Sequence, residues 1–148
     1  MTTTTRRFLG LFGTGMVAAA LAPSIVSAQT KAGAAKNKIV FQMSDADPAR
    51  WSLALNNMRN VQVDLVDDEV ELELVAYGPG IGMLKADSPV AKGVAEALKT
   101  GARVVAFENT MKAQKLGYAD MLPNIGYAPS GVVELMRKQQ QGYAYIRP

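Results

Sequence analysis

Short apolar runs alternate with helix-like segments along residues 38–148, and this alternation is the feature that most restricts the fold. The first run, Lys38–Met43, is almost continuously apolar, as expected of a strand that is buried on both faces. Asp47 then supplies a helix N-cap and Pro48 a first helical residue, and apolar positions follow from Trp51 at i, i+4 and i+7. The pattern predicts one α/β domain with a mostly parallel five-stranded sheet and helices on both faces.

Turn and cap residues divide the rest of the domain into further elements. The predicted strands lie at 70–77, 103–107, 124–127 and 143–148, and the predicted helices at 89–100, 108–116 and 131–141. Glu71 and Glu73 alternate with apolar residues, so we expect them to share one strand face that meets solvent or a partner chain. Tyr143 and Tyr145 also share a strand face, which suits a subunit interface.

Residues 1–28 have the pattern of a cleavable export signal. Arg6 and Arg7 precede a weakly apolar stretch that ends at Pro23, and small residues lead to a predicted cut after Ala28. The paired arginines resemble a twin-arginine signal but lack the usual spacer, so the general secretion route and a retained anchor stay open as alternatives. The stretch is short and glycine-rich for a membrane span. We therefore predict a periplasmic protein with no stable membrane span after cleavage, a flexible lead-in at 29–37 and a domain at 38–148.

Composition excludes several kinds of chemistry. The chain has no cysteine and no histidine, which excludes disulfides, a thiolate nucleophile, thiolate or imidazole metal ligands and a Ser-His-Asp triad. Loss of Arg6 and Arg7 would leave 14 of the 16 basic residues against 13 acidic ones, a net charge of +1. No basic run with interleaved aromatic residues is present, so nucleic acid is not an expected partner. No motif for a flavin, nicotinamide or haem occurs either, and we expect no cofactor.

Candidate site residues stand in the turns that follow the strands, because ligands of open α/β sheets bind at the carboxyl ends of the strands. The candidates are Asp45, Gly78, Pro79, Gly80, Phe107, Glu108, Asn109, Thr110 and Ser130. Each also has a structural explanation: the glycines suit a tight turn, Ser130 an N-cap, and Glu108 the favourable first turn of a helix. Asp45, Asp47 and Glu108 could supply oxygen ligands to a hard metal, but their spacing matches no calcium loop and we expect no metal site.

Four segments together resemble the DsrE/DsrF-like family. They are Tyr77–Gly80, Glu108–Met111, Pro129–Leu135 and Gln141–Pro148, and the resemblance extends over the chain from about Lys38 onward. It implies a small α/β fold with flavodoxin-like topology, assembled as a homo-oligomer, with a trimer favoured. Several members of the family act in sulfur oxidation or relay, through a cysteine that carries a persulfide after the third strand.

The resemblance places that cysteine at Phe107, whose side chain cannot act as a nucleophile. Three hypotheses follow. The chain is a non-catalytic binding or assembly module, or a partner subunit of a cysteine-bearing sulfur carrier. Alternatively it is an enzyme in which Glu108 acts as general acid or base while Asn109 and Thr110 orient the substrate. A buried Glu108 in a pocket would favour the enzyme, and an exposed one would argue against it.

Overall fold

The computed structural model describes residues 37–66 and 69–148, where five strands and four α-helices alternate along the chain. They are β1 (Asn37–Met43), α1 (Pro48–Asp64), β2 (Val70–Ala76), α2 (Ala91–Lys99), β3 (Arg103–Phe107), α3 (Glu108–Ala113), β4 (Gly126–Ala128), α4 (Gly131–Gln140) and β5 (Ala144–Ile146), with 3-10 helices at Gly78–Leu84 and Tyr118–Asp120. The predicted export signal and most of the predicted lead-in lie outside the described residues. Asn37, the last residue of the predicted lead-in, belongs to β1.

The strands form one parallel sheet in the order β4-β3-β2-β1-β5. From β1 to β4 each connection moves in the same direction across the sheet, and α4 then returns the chain to the other side of β1. Because such crossovers are right-handed, α1, α2 and α3 lie on one face and α4 lies alone on the other. The predicted five-stranded parallel sheet with helices on both faces is confirmed.

Two apolar clusters hold the layers together. The larger cluster lies under α1 and α2 and includes Phe41, Trp51 and Met58. The smaller cluster lies under α4 and consists of Val40, Val75, Phe107, Leu135 and Tyr143, with Tyr77 packed against it. In the described residues, one face of the sheet is therefore covered by α1, α2 and α3, and the other face is covered by α4. Within the described ranges, no helix is both long and apolar enough to cross a membrane.

The boundaries of the helices agree only in part with the sequence prediction. α1 begins at Pro48 as predicted, and Asp47 Oδ1 accepts a hydrogen bond from the Ala49 N–H at 2.9 Å. α3 ends at Ala113, three residues earlier than predicted, and Lys115 just beyond it has a φ of 56°, which a continuing helix does not allow. α2 begins at Ala91, two residues later than predicted.

The prediction that Glu71 and Glu73 share a face open to solvent or a partner is wrong for Glu73. Its side chain is buried, because α4 covers that part of the sheet. Tyr143 is also buried within the chain, where its hydroxyl donates a hydrogen bond to Glu71 Oε1, so it is not a surface residue of an interface. Tyr145 remains exposed, and its hydroxyl donates to Gln42 Oε1.

Candidate functional site

The nine predicted site residues all lie at the carboxyl edge of the sheet, but they form separate groups. Asp45, after β1, lies 3.6 Å from an Arg147 guanidinium nitrogen through its Oδ2 atom. Its backbone oxygen accepts a hydrogen bond from the Trp51 indole nitrogen at 2.7 Å. These contacts tie the β1 turn to the chain end and to α1, which is a structural role.

The turn at Gly78, Pro79 and Gly80 packs against α3 and the end of β1. The Gly78 N–H donates to Thr110 Oγ1 at 3.0 Å. A Cβ on Gly80 would lie 2.4 Å from the Met43 carbonyl oxygen, so only glycine fits there without moving backbone. The turn and Thr110 thus form one packed unit, and the glycine is required by the close approach of two chain segments.

Phe107 is the last residue of β3, and its side chain packs against the start of α4. Its ring lies in the space directly beside Gly131, where an added Cβ would be 0.5 Å from Phe107 Cζ. One face of the ring stacks on Tyr77, with ring centroids 5.0 Å apart and an interplanar angle of 20°. Phe107 is buried, so this part of the edge is filled by an aromatic ring. Ser130 is the N-cap residue of α4, but its side chain makes no capping hydrogen bond.

Glu108 is partly buried and lies at the start of α3. Its Oε1 atom accepts a hydrogen bond from the Tyr118 hydroxyl at 2.5 Å, and the Tyr118 ring meets Tyr127 edge to face at 4.6 Å. The hydrogen bond to the Glu108 carboxylate raises the pKa of Tyr118 above its ordinary value of 10.0. Asn109, the next residue, is exposed.

The concavity beside Glu108 has a volume of about 110 Å³ and is lined by Glu108, Met111, Lys112, Leu116, Gly117 and Tyr118. Pockets that bind small organic ligands usually have about 300–1,000 Å³. Larger grooves, of about 420, 410 and 360 Å³, are lined by none of the nine residues. The surroundings of Glu108 therefore fit a single small group better than a substrate.

Two polar residues on the α4 face of the sheet, Gln42 and Lys138, are not among the residues predicted from the sequence. Gln42 connects Ser44 with Tyr145, since its Nε2 atom donates to Ser44 Oγ at 3.2 Å while Tyr145 donates to its Oε1. Lys138 pairs with Glu73, with 2.7 Å between Nζ and Oε2. The spacing of Gly131, Leu135 and Lys138 at i, i+4 and i+7 would have placed Lys138 on the inner stripe of α4. Within residues 37–66 and 69–148, no group of three or more acidic side chains is arranged to hold a metal ion.

Several solved structures resemble this chain, among them the following two. The structure of MTH1491, a protein of unknown function from Methanobacterium thermoautotrophicum, has 35% sequence identity and a TM-score of 0.73, and the match covers 76% of this chain and 100% of MTH1491. The crystal structure of the ychN protein from E. coli has 12% identity and a TM-score of 0.59, over 76% of this chain and 99% of ychN. The ychN protein has a DsrE/DsrF-like fold, and these likenesses confirm that the present chain has a DsrE-like fold. No protein-family model matches the sequence, and the search of curated proteins found no match.

Proposed function

From the premise that this chain belongs to the same family as MTH1491, we propose that it is a non-catalytic module that acts by binding and self-assembly on a DsrE-like fold. We further propose that it is exported to the periplasm, where its signal is removed after Ala28. MTH1491 is itself a protein of unknown function, so the proposal depends on the residues of this chain.

One observation carries the proposal: the Phe107 ring fills the space at the start of α4, between Gly131 and Tyr77. By the resemblance to DsrE/DsrF-like proteins, this is where a persulfide-carrying cysteine would stand. A buried phenylalanine offers no nucleophile and leaves no room for a bound sulfur atom. The chain contains no cysteine that could take over the role.

The outer face of α4 supports self-assembly. Val132, Val133 and Met136 are exposed there, and Tyr145 on β5 is exposed on the same side of the sheet. Apolar and tyrosine side chains grouped on a surface are typical of interfaces between protein chains. We propose that copies of this chain associate through the α4 outer face, defined as Val132, Val133 and Met136, and that a trimer is the favoured assembly. A cysteine-bearing sulfur carrier is the proposed hetero-partner.

Catalysis by Glu108 is the weaker candidate. A general base at working pH would need a desolvated carboxylate beside a substrate-sized space. Glu108 is instead partly exposed, is already paired with Tyr118, and borders a concavity of only about 110 Å³. The geometry therefore favours the non-catalytic function.

A pair of matched substitutions tests the assembly. Val132 and Val63 are both 65% exposed on helices, and Val63 lies in the last turn of α1 on the opposite face of the sheet. We expect Val132→Asp to shift the oligomer toward monomer in light scattering after gel filtration, and Val63→Asp to leave it unchanged. An acidic residue in the first turn of α4 is favourable for the helix, so misfolding is not the expected cause of dissociation. Equal oligomer size in both variants would refute this interface.

A chemical assay tests the absence of catalysis. The protein is incubated with thiosulfate or polysulfide, and cyanide then releases any transferable sulfur as thiocyanate. We expect no thiocyanate above the level formed by the same sulfur compound and cyanide without the protein. Turnover of a supplied sulfur compound that is lost in Glu108→Gln would overturn the proposal in favour of the enzyme.

A further inference from the structure

Glu73 is a buried carboxylate that has no role in the proposed function. It is 1% exposed, on the face of β2 that α4 covers. Its Oε2 atom lies 2.7 Å from Lys138 Nζ and 3.3 Å from Arg103 Nε. Neither carboxylate oxygen has a hydrogen bond of good geometry among the described residues, so the Lys138 contact with Oε2 is an ion pair. Native proteins rarely bury an ionised group that is incompletely paired, because desolvating the charge is costly.

Lys138 is held in place from several sides. It lies in the last turn of α4, is 6% exposed, and its Nζ atom lies 4.8 Å from the centre of the Tyr143 ring and 4.0 Å from Glu134 Oε1. Six titratable or charged groups lie around Glu73. They are Lys138 and Glu134 on α4, Arg103 on β3, Glu71 on β2, Lys38 on β1, and Tyr143, which directly precedes β5. Lys138 is thus the charged residue among the buried α4 residues, which face the sheet.

We propose that Glu73 and Lys138 form a proton-linked clamp that sets how tightly α4 is held against the sheet. The remaining inner contacts of α4 are made by Gly131 and Leu135, which bury less surface than the larger cover on the opposite face. The contact between Glu73 and Lys138 is therefore the point at the end of the helix where protonation of Glu73 can change how firmly α4 is held. The clamp is intramolecular, but α4 also carries the proposed interface, so the opening of α4 is compared among variants in the same assembly state.

The direction of the proton linkage follows from burial. Desolvation raises the pKa of Glu73 above 4.5, while the adjacent Lys138 ammonium and the charge of Arg103 lower it by less, and Glu134 raises it slightly. When α4 lifts away, water reaches Glu73 and its pKa returns toward the ordinary value. The closed helix therefore binds the proton more tightly than the open one, so acid favours closure. As pH rises through the raised pKa of Glu73, the closed state loses this advantage.

Hydrogen exchange of the α4 amides, corrected for the intrinsic effect of pH on exchange, measures the opening. We expect protection of α4 in the full-length protein to fall as pH rises above the ordinary glutamate pKa, by at most about tenfold per pH unit, the limit for one proton. Glu73→Gln should abolish this dependence. Lys138→Met should move it to higher pH, because the groups that lower the pKa of Glu73 are reduced.

The double variant Glu73→Gln/Lys138→Met is the control for folding, since it removes both buried charges at similar volume and such exchanges are often neutral or stabilising. We expect it to keep α4 protected at a level independent of pH. Glu134→Gln retains the clamp and should keep the dependence. The proposal is overturned if Glu73→Gln retains the wild-type slope, if protection instead rises with pH in the wild type, or if Lys138→Met leaves the position of the slope unchanged. Should Lys138→Met fail to fold, Glu73→Gln and the double variant still decide the outcome.

Discussion

Gly131→Ala is the sharpest test of how Phe107 is packed. The new methyl carbon would lie 0.5 Å from Phe107 Cζ and 1.0 Å from Cε2, so both groups cannot occupy their present positions. One face of the ring stacks on Tyr77 with centroids 5.0 Å apart, which restricts how the ring can move away. Overpacking of this kind costs about 1–3 kcal/mol and occasionally more, and the depth of this overlap indicates the upper end.

The same geometry predicts that the two positions are strongly coupled. Phe107→Ala should cost about 3–5 kcal/mol, the usual loss for a buried phenylalanine. In that background the space beside residue 131 is empty, and Gly131→Ala should be neutral or stabilise the protein by about 0.8 kcal/mol, the value of one buried methyl group. The double-mutant cycle should therefore show a favourable coupling of about 3 kcal/mol.

Urea unfolding of the four proteins, at one protein concentration, measures the cycle, because the stability of an oligomer depends on its concentration. Circular dichroism at a fixed wavelength can report the transition, and equal slopes would show that the variants unfold from comparable native states. A cost below about 0.5 kcal/mol for Gly131→Ala in the wild-type background, a value typical of a surface position, would refute the packing of Phe107 against α4.

Three further predictions concern the edge of the sheet. Asp47→Ala should lower the free energy of unfolding by about 1 kcal/mol through loss of the α1 cap, which urea unfolding can measure; no change would contradict the capping role. Gly80→Ala should be much more damaging, because its Cβ would meet the backbone of Met43 at 2.4 Å, and a stable variant would contradict this contact. Glu108→Gln should lower the pKa of Tyr118 toward 10.0, since the charged acceptor of its hydrogen bond is lost. Ultraviolet absorbance titration, with Tyr118→Phe to assign the signal, would show an unchanged tyrosine pKa if the pair does not form.

Local sequence signals predicted the order of elements well. Asp47 and Pro48 specify the start of α1 through cap chemistry that involves only neighbouring residues. Arg103–Phe107 has the bounds predicted for the third strand, because a short apolar run between turn residues has few alternatives. The carboxyl ends of the strands also place the nine candidate residues along one edge, as expected for a parallel sheet.

The contacts among those residues could not be read from the sequence. Glu73 alternates with apolar residues like a solvated strand residue, yet α4, more than 50 positions later in the chain, covers it and supplies Lys138. Whether Phe107 borders an open site or fills one depends on Gly131, which the sequence indicates only as the start of a helix. Such properties depend on long-range packing, which the periodicity of one element does not specify.

Native mass spectrometry of the protein purified from the cells that make it reports signal cleavage and assembly in one measurement. We predict a chain that begins at Gln29 and a symmetric homo-oligomer, with a trimer favoured. A monomer would contradict the proposal, because the proposed non-catalytic module acts through self-assembly.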